Sequence, residues 1–187
     1  MVNPGMISAC GDQYTPLILQ CFGAPSGNLR VRIANLMDAV RIDAVAVSVQ
    51  LDLGPNVSAD QIRMVAGVTR ESHEAGMPVL FMINGISTSD PTSIAKSIRI
   101  CQELGADLIK TGCRCGQMDA EALEIVRGAT RHSPPVLLAG GEMNGTIASE
   151  AALAYRVGFK GYCIGRSIFA AGDPAGVVSE LEKAFQV

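Results

Sequence analysis

The sequence predicts an α/β fold of parallel β/α units, and three observations predict it. Six short, nearly continuous apolar runs recur along 187 residues, as strands buried on both faces do. Between them lie amphipathic stretches with helix punctuation. No Gly-x-Gly-x-x-Gly turn follows any of the runs, which argues against a doubly wound dinucleotide fold. The remaining architecture is the (β/α)8, or TIM, barrel, whose usual length of roughly 250 residues exceeds this chain by about two units. The expectation is therefore a single domain over residues 1–187, a barrel without its first one or two β/α units. Val2-Asn3-Pro4-Gly5 would then be the tail of a strand.

The strands are expected at 17–22, 44–50, 78–83, 107–111, 136–139 and 161–164. Ser58 with Gln61 forms a capping-box pattern, and Gly76 closes that helix. Asp90 followed by Pro91 supplies a cap and a proline at the first helical position. Ile94, Ile98, Cys101 and Leu104 then follow at helical spacing until Gly105. Asp119 opens a helix carrying Ala122, Leu123 and Val126, and Asp173-Pro174 opens the last one, running to Phe185. After Gly165 and Arg166 the pattern gives one short helical turn.

Composition bounds the function. Apolar residues make up 48% and charged residues 18%, so the chain can fill a core. A net charge of −3 without a basic cluster argues against nucleic acid or an acidic membrane as partner. No apolar run approaches the ~20 residues that span a bilayer, and the N-terminus lacks the pattern of a secretory signal; a cytoplasmic protein is expected. Four of the six cysteines, Cys10, Cys21, Cys101 and Cys163, lie in apolar contexts where cysteine acts as a small hydrophobe. Cys113-Arg114-Cys115 lacks the usual two-residue ligand spacing, and only His73 and His132 could join it, so no metal and no cofactor are expected. Both histidines read as core or solvent-facing.

Lys110 is the candidate catalytic residue. It stands near the end of the run 107–111, where a charged side chain is seldom buried without a partner or a purpose. Burial disfavours an ammonium and can leave an amine able to attack a carbonyl; the alternative is a lysine snorkelling from the strand end. Two further strand ends carry Gly140-Gly141 and Gly165-Arg166. Paired glycines let backbone amides approach an anion, and Arg166 adds a fixed cation suited to phosphate. Loops after the last two strands form the recurrent phosphate site of such barrels.

From about residue 104 onward the chain resembles the class I aldolases of the DeoC/FbaB superfamily. The similarity is closest to the archaeal-type fructose-bisphosphate aldolase branch, with its LsrF-like thiolases and aminodideoxyheptulosonate synthases. The residues that carry it are Gly105-Ala106-Asp107-Leu108-Ile109-Lys110-Thr111, Pro135-Val136-Leu137-Leu138-Ala139-Gly140-Gly141, and Gly161-Tyr162-Cys163-Ile164-Gly165-Arg166-Ser167-Ile168-Phe169. Weaker similarity covers Val2-Asn3-Pro4-Gly5, Leu17-Ile18-Leu19-Gln20, Val45-Ala46-Val47-Ser48-Val49 and Gly76-Met77-Pro78-Val79-Leu80. Deoxyribose-phosphate aldolases carry a second lysine on the next strand, where this chain has Leu137-Leu138.

The resemblance implies that Lys110 condenses with a ketone and that the protonated imine serves as electron sink. Gly140, Gly141, Gly165 and Arg166 would hold the phosphate of a phosphorylated small-molecule substrate. Gln20, Gln50 and Asn84 are candidate substrate contacts. The resemblance also implies a homo-oligomer. The family's acidic residue on its first strand has no counterpart here, and Asn84 stands where relatives often have a tyrosine acid/base. Those two departures support the alternative of a non-catalytic protein that binds a phosphometabolite or a partner.

Overall fold

The computed structural model describes residues 1, 3–10, 16–23, 31–55, 57–140 and 147–185. Contacts divide the chain into two units, Met1–Gly85 with Glu103–Leu108, and Ile86–Gln102 with Ile109–Val187.

The first unit opens with a 3-10 turn over Pro4–Cys10, not with the strand tail expected at Val2-Asn3-Pro4-Gly5; Val2 lies outside the described residues. Proline fixes φ near −65° and has no N–H to give a ladder, so Pro4 suits a first helical turn better than a strand. The expected strand 17–22 is divided. Ile18–Gln20 (β1) lies parallel to Ala46–Asp52 (β4), with Ile18 opposite Ala46. Cys21 still donates its N–H to Ser48 O at 2.9 Å, but its carbonyl accepts from Ile33 N–H at 2.8 Å. From there Phe22–Gly23 (β2) pairs antiparallel with Val31–Arg32 (β3). Leu36–Arg41 (α1) follows, its first turn closed by a capping box between Asn35 and Asp38.

Arg32 grips Glu71 with two hydrogen bonds, of 2.7 and 3.3 Å. That guanidinium holds the Glu71 carboxyl below its ordinary range. A lowered folded-state pKa contributes stability above the unfolded value of about 4.3 and loses it as pH falls through the folded value. Both side chains are substantially exposed, so Glu71→Gln is expected to cost only about 0.5 kcal/mol at neutral pH. Urea midpoints of variant and parent should converge as the medium is made acid.

β4 carries four buried residues in succession and pairs in parallel with Val79–Asn84 (β5), Asp52 facing Asn84 at the end of the register. Between them Ala59–Glu74 (α2) is capped by Ser58, whose hydroxyl accepts from Gln61 N–H at 3.2 Å. It ends as expected, with Gly76 donating to His73 O and Met77 donating to Ser72 O. Asp107 fixes the start of the next strand. One carboxylate oxygen accepts from Val79 N–H and faces His73 Nε2, both at 2.8 Å. His73 thus has a structural partner.

The second unit contains Pro91–Glu103 (α3) up to Gln102, Leu108–Thr111 (β6) from Ile109, Ala120–Arg131 (α4), Val136–Ala139 (β7) and Ile147–Arg156 (α5). Gly161–Cys163 (β8), Arg166–Phe169 (α6) and Pro174–Ala184 (α7) complete it. β6, β7 and β8 are parallel, Lys110 opposite Leu137 and Leu137 opposite Gly161. Asp90 accepts from Thr92 N–H, Asp119 from Ala122 N–H and Asp173 from Gly176 N–H, each within 3.0 Å. Tyr155 and Tyr162 close on Phe185 at 5.7 and 5.6 Å, joining α5 and β8 to the end of α7. No helix among the described residues is long and apolar enough to cross a membrane.

Candidate active site

The geometry around Lys110 follows from strand alternation. Ile109 and Thr111 are fully buried on one face of β6, and Lys110 is half-buried on the other. Successive side chains of a strand point to opposite faces, so Lys110 shares its row with Leu137 and Gly161. These neighbours are aliphatic or bare and offer no counter-charge. No side-chain hydrogen bond or ion pair joins Lys110 to another described residue.

The two glycine sites differ in kind. Gly140 is buried at the end of β7, and a Cβ there would stand 2.7 Å from Ile164 Cγ2. Packing alone thus demands a glycine at 140. At Gly165 a Cβ would meet nothing within 4 Å, so the fold itself does not require the bare position. Gly165 caps α6 and accepts from Ile168 and Phe169 N–H. Arg166 is the exposed first residue of that turn. Gly141 lies outside the described residues.

The three amide candidates stand on strands of the first unit. Gln20 is buried, its Nε2 donating to Phe22 O at 2.9 Å and its Oε1 accepting from Ser48 Oγ at 2.5 Å. That carboxamide ties β1 to β4. Gln50 is half-buried in β4. Asn84 is half-buried at the end of β5, with Nδ2 at 3.4 Å from Met82 O.

Sequence reasoning passed over two carboxylates. Asp52 ends β4 directly opposite Asn84, with Oδ1 accepting from Gly54 N–H at 3.1 Å. Its place at the close of the apolar run 44–51 was the available signal. Glu150 on α5 is 7% exposed, and both its oxygens accept from Gly116 N–H, at 3.3 and 3.1 Å. Together with Thr88, whose carbonyl accepts from Arg114 N–H at 2.7 Å, it shapes the loop after β6.

Comparison with known proteins gives this arrangement its class. A crystal structure of an archaeal fructose 1,6-bisphosphate aldolase superposes with a TM-score of 0.85 at 21% identity, covering 98% of this chain and 76% of that one. A second, with the catalytic Lys covalently bound to the carbinolamine intermediate of its substrate, matches to the same degree. The fold is thus α/β, of the TIM-barrel aldolase type that the sequence predicted. The DeoC/LacD family aldolase model matches residues 2–171, and the chain belongs to that family.

Two relatives refine the placement. The chain is 30% identical over 156 residues to the 2-amino-3,7-dideoxy-D-threo-hept-6-ulosonate synthase of Halobacterium salinarum, covering 80% of this chain and 57% of that protein. It is 32% identical over 167 residues to the 2-amino-4,5-dihydroxy-6-oxo-7-(phosphonooxy)heptanoate synthase of Streptomyces griseus, covering 84% and 59%. The chain thus spans less than three fifths of these relatives' lengths.

Proposed function

We propose that this chain carries the lysine of a Schiff-base lyase, an aldolase or aldolase-like transferase that makes or breaks a C–C bond in a phosphorylated ketose or related carbonyl compound. The observation that carries the reading is Lys110 itself: an amine near the end of a strand, half-buried, with no acidic partner among the described residues. A lysine that served only to pair with a carboxylate would have one beside it.

In this reading the Lys110 amine adds to the substrate ketone, and loss of water leaves a protonated imine. The imine accepts the electron pair of the breaking C–C bond, or of the α C–H bond in synthesis. Gly140, Gly141, Gly165 and Arg166 hold the phosphate, which fixes the carbonyl near the amine. Gln50 and Asn84 contact substrate, with Gln20 supporting them through Ser48. Residues 1–187 act as one aldolase-type domain, an assignment supported by a single family match running through both units. A cytoplasmic homo-oligomer belongs to the same proposal.

Borohydride trapping tests it. With dihydroxyacetone phosphate or a related ketone phosphate, reduction should leave an adduct whose mass maps to Lys110. The absence of any adduct with several such ketones would overturn the Schiff-base reading and leave the non-catalytic binder, which Asn84 in the tyrosine's place favours.

The two glycine positions separate binding from packing. Gly140→Ala is expected to cost about 1–3 kcal/mol of stability through the Ile164 contact. Gly165→Ala should leave stability within about 0.5 kcal/mol yet weaken ketone-phosphate binding about tenfold by filling space the phosphate needs. Paired urea titrations and trapping at graded ketone concentrations read the two effects. Unchanged concentration dependence for Gly165→Ala would remove that residue from the phosphate site.

A further inference from the structure

The loop after the lysine strand holds a feature that aldol chemistry does not use. Cys113 and Cys115 are each 1% exposed, and their sulfurs stand 3.0 Å apart. Two sulfurs ligating one metal at about 2.3 Å each would sit nearly 4 Å apart in a tetrahedral site, so the pair is too close for that role. A disulfide needs about 2.05 Å, a closure of roughly one ångström. The loop around them is fixed: Arg114 N–H donates to Thr88 O at 2.7 Å, and Gly116 N–H donates to the Glu150 carboxylate. Two thiols are thus held face to face by a backbone that is itself anchored.

We propose that Cys113 and Cys115 form a reversible modification site, a dithiol that a peroxide closes to a disulfide and that thereby retunes the loop next to Lys110. One thiolate attacks the peroxide, giving a sulfenic acid and one water. The second thiol displaces the hydroxyl as another water, and the S–S bond forms. Two thiols lose two hydrogens, and the peroxide O–O bond supplies the oxidation. Contact with Cys115 and burial hold the Cys113 thiol above its ordinary range, so its oxidation is slow.

The closure reaches the lysine through two residues. β6 ends at Thr111, and Gly112 packs so closely on Thr88 that a Cβ there would stand 2.6 Å from Thr88 Cγ2. With Thr88 and Glu150 holding the loop, drawing the sulfurs together shifts the segment that leads back to Lys110.

The test uses the whole chain and hydrogen peroxide. After oxidation, denaturation, alkylation and digestion, the peptide carrying both cysteines should be two hydrogens lighter and take no alkyl group. Dithiothreitol should restore both alkylation sites. Cys101 serves as control: it is buried like the pair, but no second sulfur contacts it among the described residues, so it has no partner for a disulfide and should take its alkyl group. Cys113→Ser and Cys115→Ala should each lose the mass change. Full alkylation of both cysteines after peroxide, or ascent to sulfinic acid with no bond between them, would overturn the proposal.

Oxidised protein should also trap ketone phosphate on Lys110 about tenfold more slowly, since small displacements near reacting atoms are costly, with recovery on reduction. An unchanged trapping rate would sever the dithiol from the lysine. This second readout rests on the Schiff-base reading, whereas the mass change needs no substrate, so the two failures are distinguishable.

Discussion

Lys110→Met is expected to abolish borohydride trapping and to lower kcat/KM for any C–C cleavage by at least about three orders of magnitude. Methionine matches the length of the lysine stem and lacks the amine. Its thioether fits a row that already holds Leu137 and bare Gly161, so the melting temperature should stay within a few degrees. The chain contains four lysines. Lys96 on α3, Lys183 on α7 and Lys160 before β8 are all exposed, with no wall to orient a carbonyl. Only Lys110 lies within a strand, with a packed face on one side and an apolar row on the other. Lys110→Arg separates charge from nucleophilicity, because guanidinium keeps the charge but forms no imine; it should trap nothing. A wild-type yield of adduct in Lys110→Met would assign the reaction to a surface amine and end the Schiff-base assignment for this site.

How much of this was legible depends on the range over which each residue acts. β7 falls at 136–139 as the sequence predicts, and Ser58, Asp90, Asp119 and Asp173 all cap the helices assigned to them. Those signals act within three or four residues. The break at Cys21 is of another kind, because its carbonyl is claimed by Ile33, twelve positions on, while the apolar run 17–22 shows no interruption. α1 buries only Ala39, too little for a periodicity to show. α5 is rich in alanine, and its polar Glu150 is turned inward to Gly116. The site divides in the same way. Lys110 stood out as a charge in an apolar strand, whereas Gln20 acquires its meaning from Ser48, 28 residues away. Gly140 looked like half of an anion cradle, and Ile164 supplies a packing reason for it as well. The cysteines at 113 and 115 were visible as a pair; their burial and separation were not.

The largest stability effect is expected at Gly158, between α5 and β8. There the helix ends with Phe159 N–H donating to Ala154 O and Gly158 N–H donating to Tyr155 O, both at 3.0 Å. This closure needs a left-handed residue at its turn, and Gly158 has φ of 98°. A Cβ there would also stand 2.5 Å from Thr130 Oγ1. That hydroxyl cannot swing away freely, since Thr130 is 7% exposed and donates to Val157 O at 2.6 Å. Gly158→Ala therefore sets left-handed strain of about 1–2 kcal/mol beside displacement of a buried hydroxyl worth about 1–3 kcal/mol. Val157 and Phe159, 2% and 0% exposed, anchor the turn on both sides and prevent it from relaxing outward. The expected loss is about 2–4 kcal/mol, a large share of the 5–15 kcal/mol that holds an ordinary domain. Thr130→Ala removes the atom that a new methyl would strike. In that background Gly158→Ala should cost only the backbone part, leaving a coupling of at least about 1 kcal/mol in the double-mutant cycle. Additive losses would place the whole cost in the dihedral angle, and a loss below about 1 kcal/mol for the single variant would show that the turn accommodates a side chain.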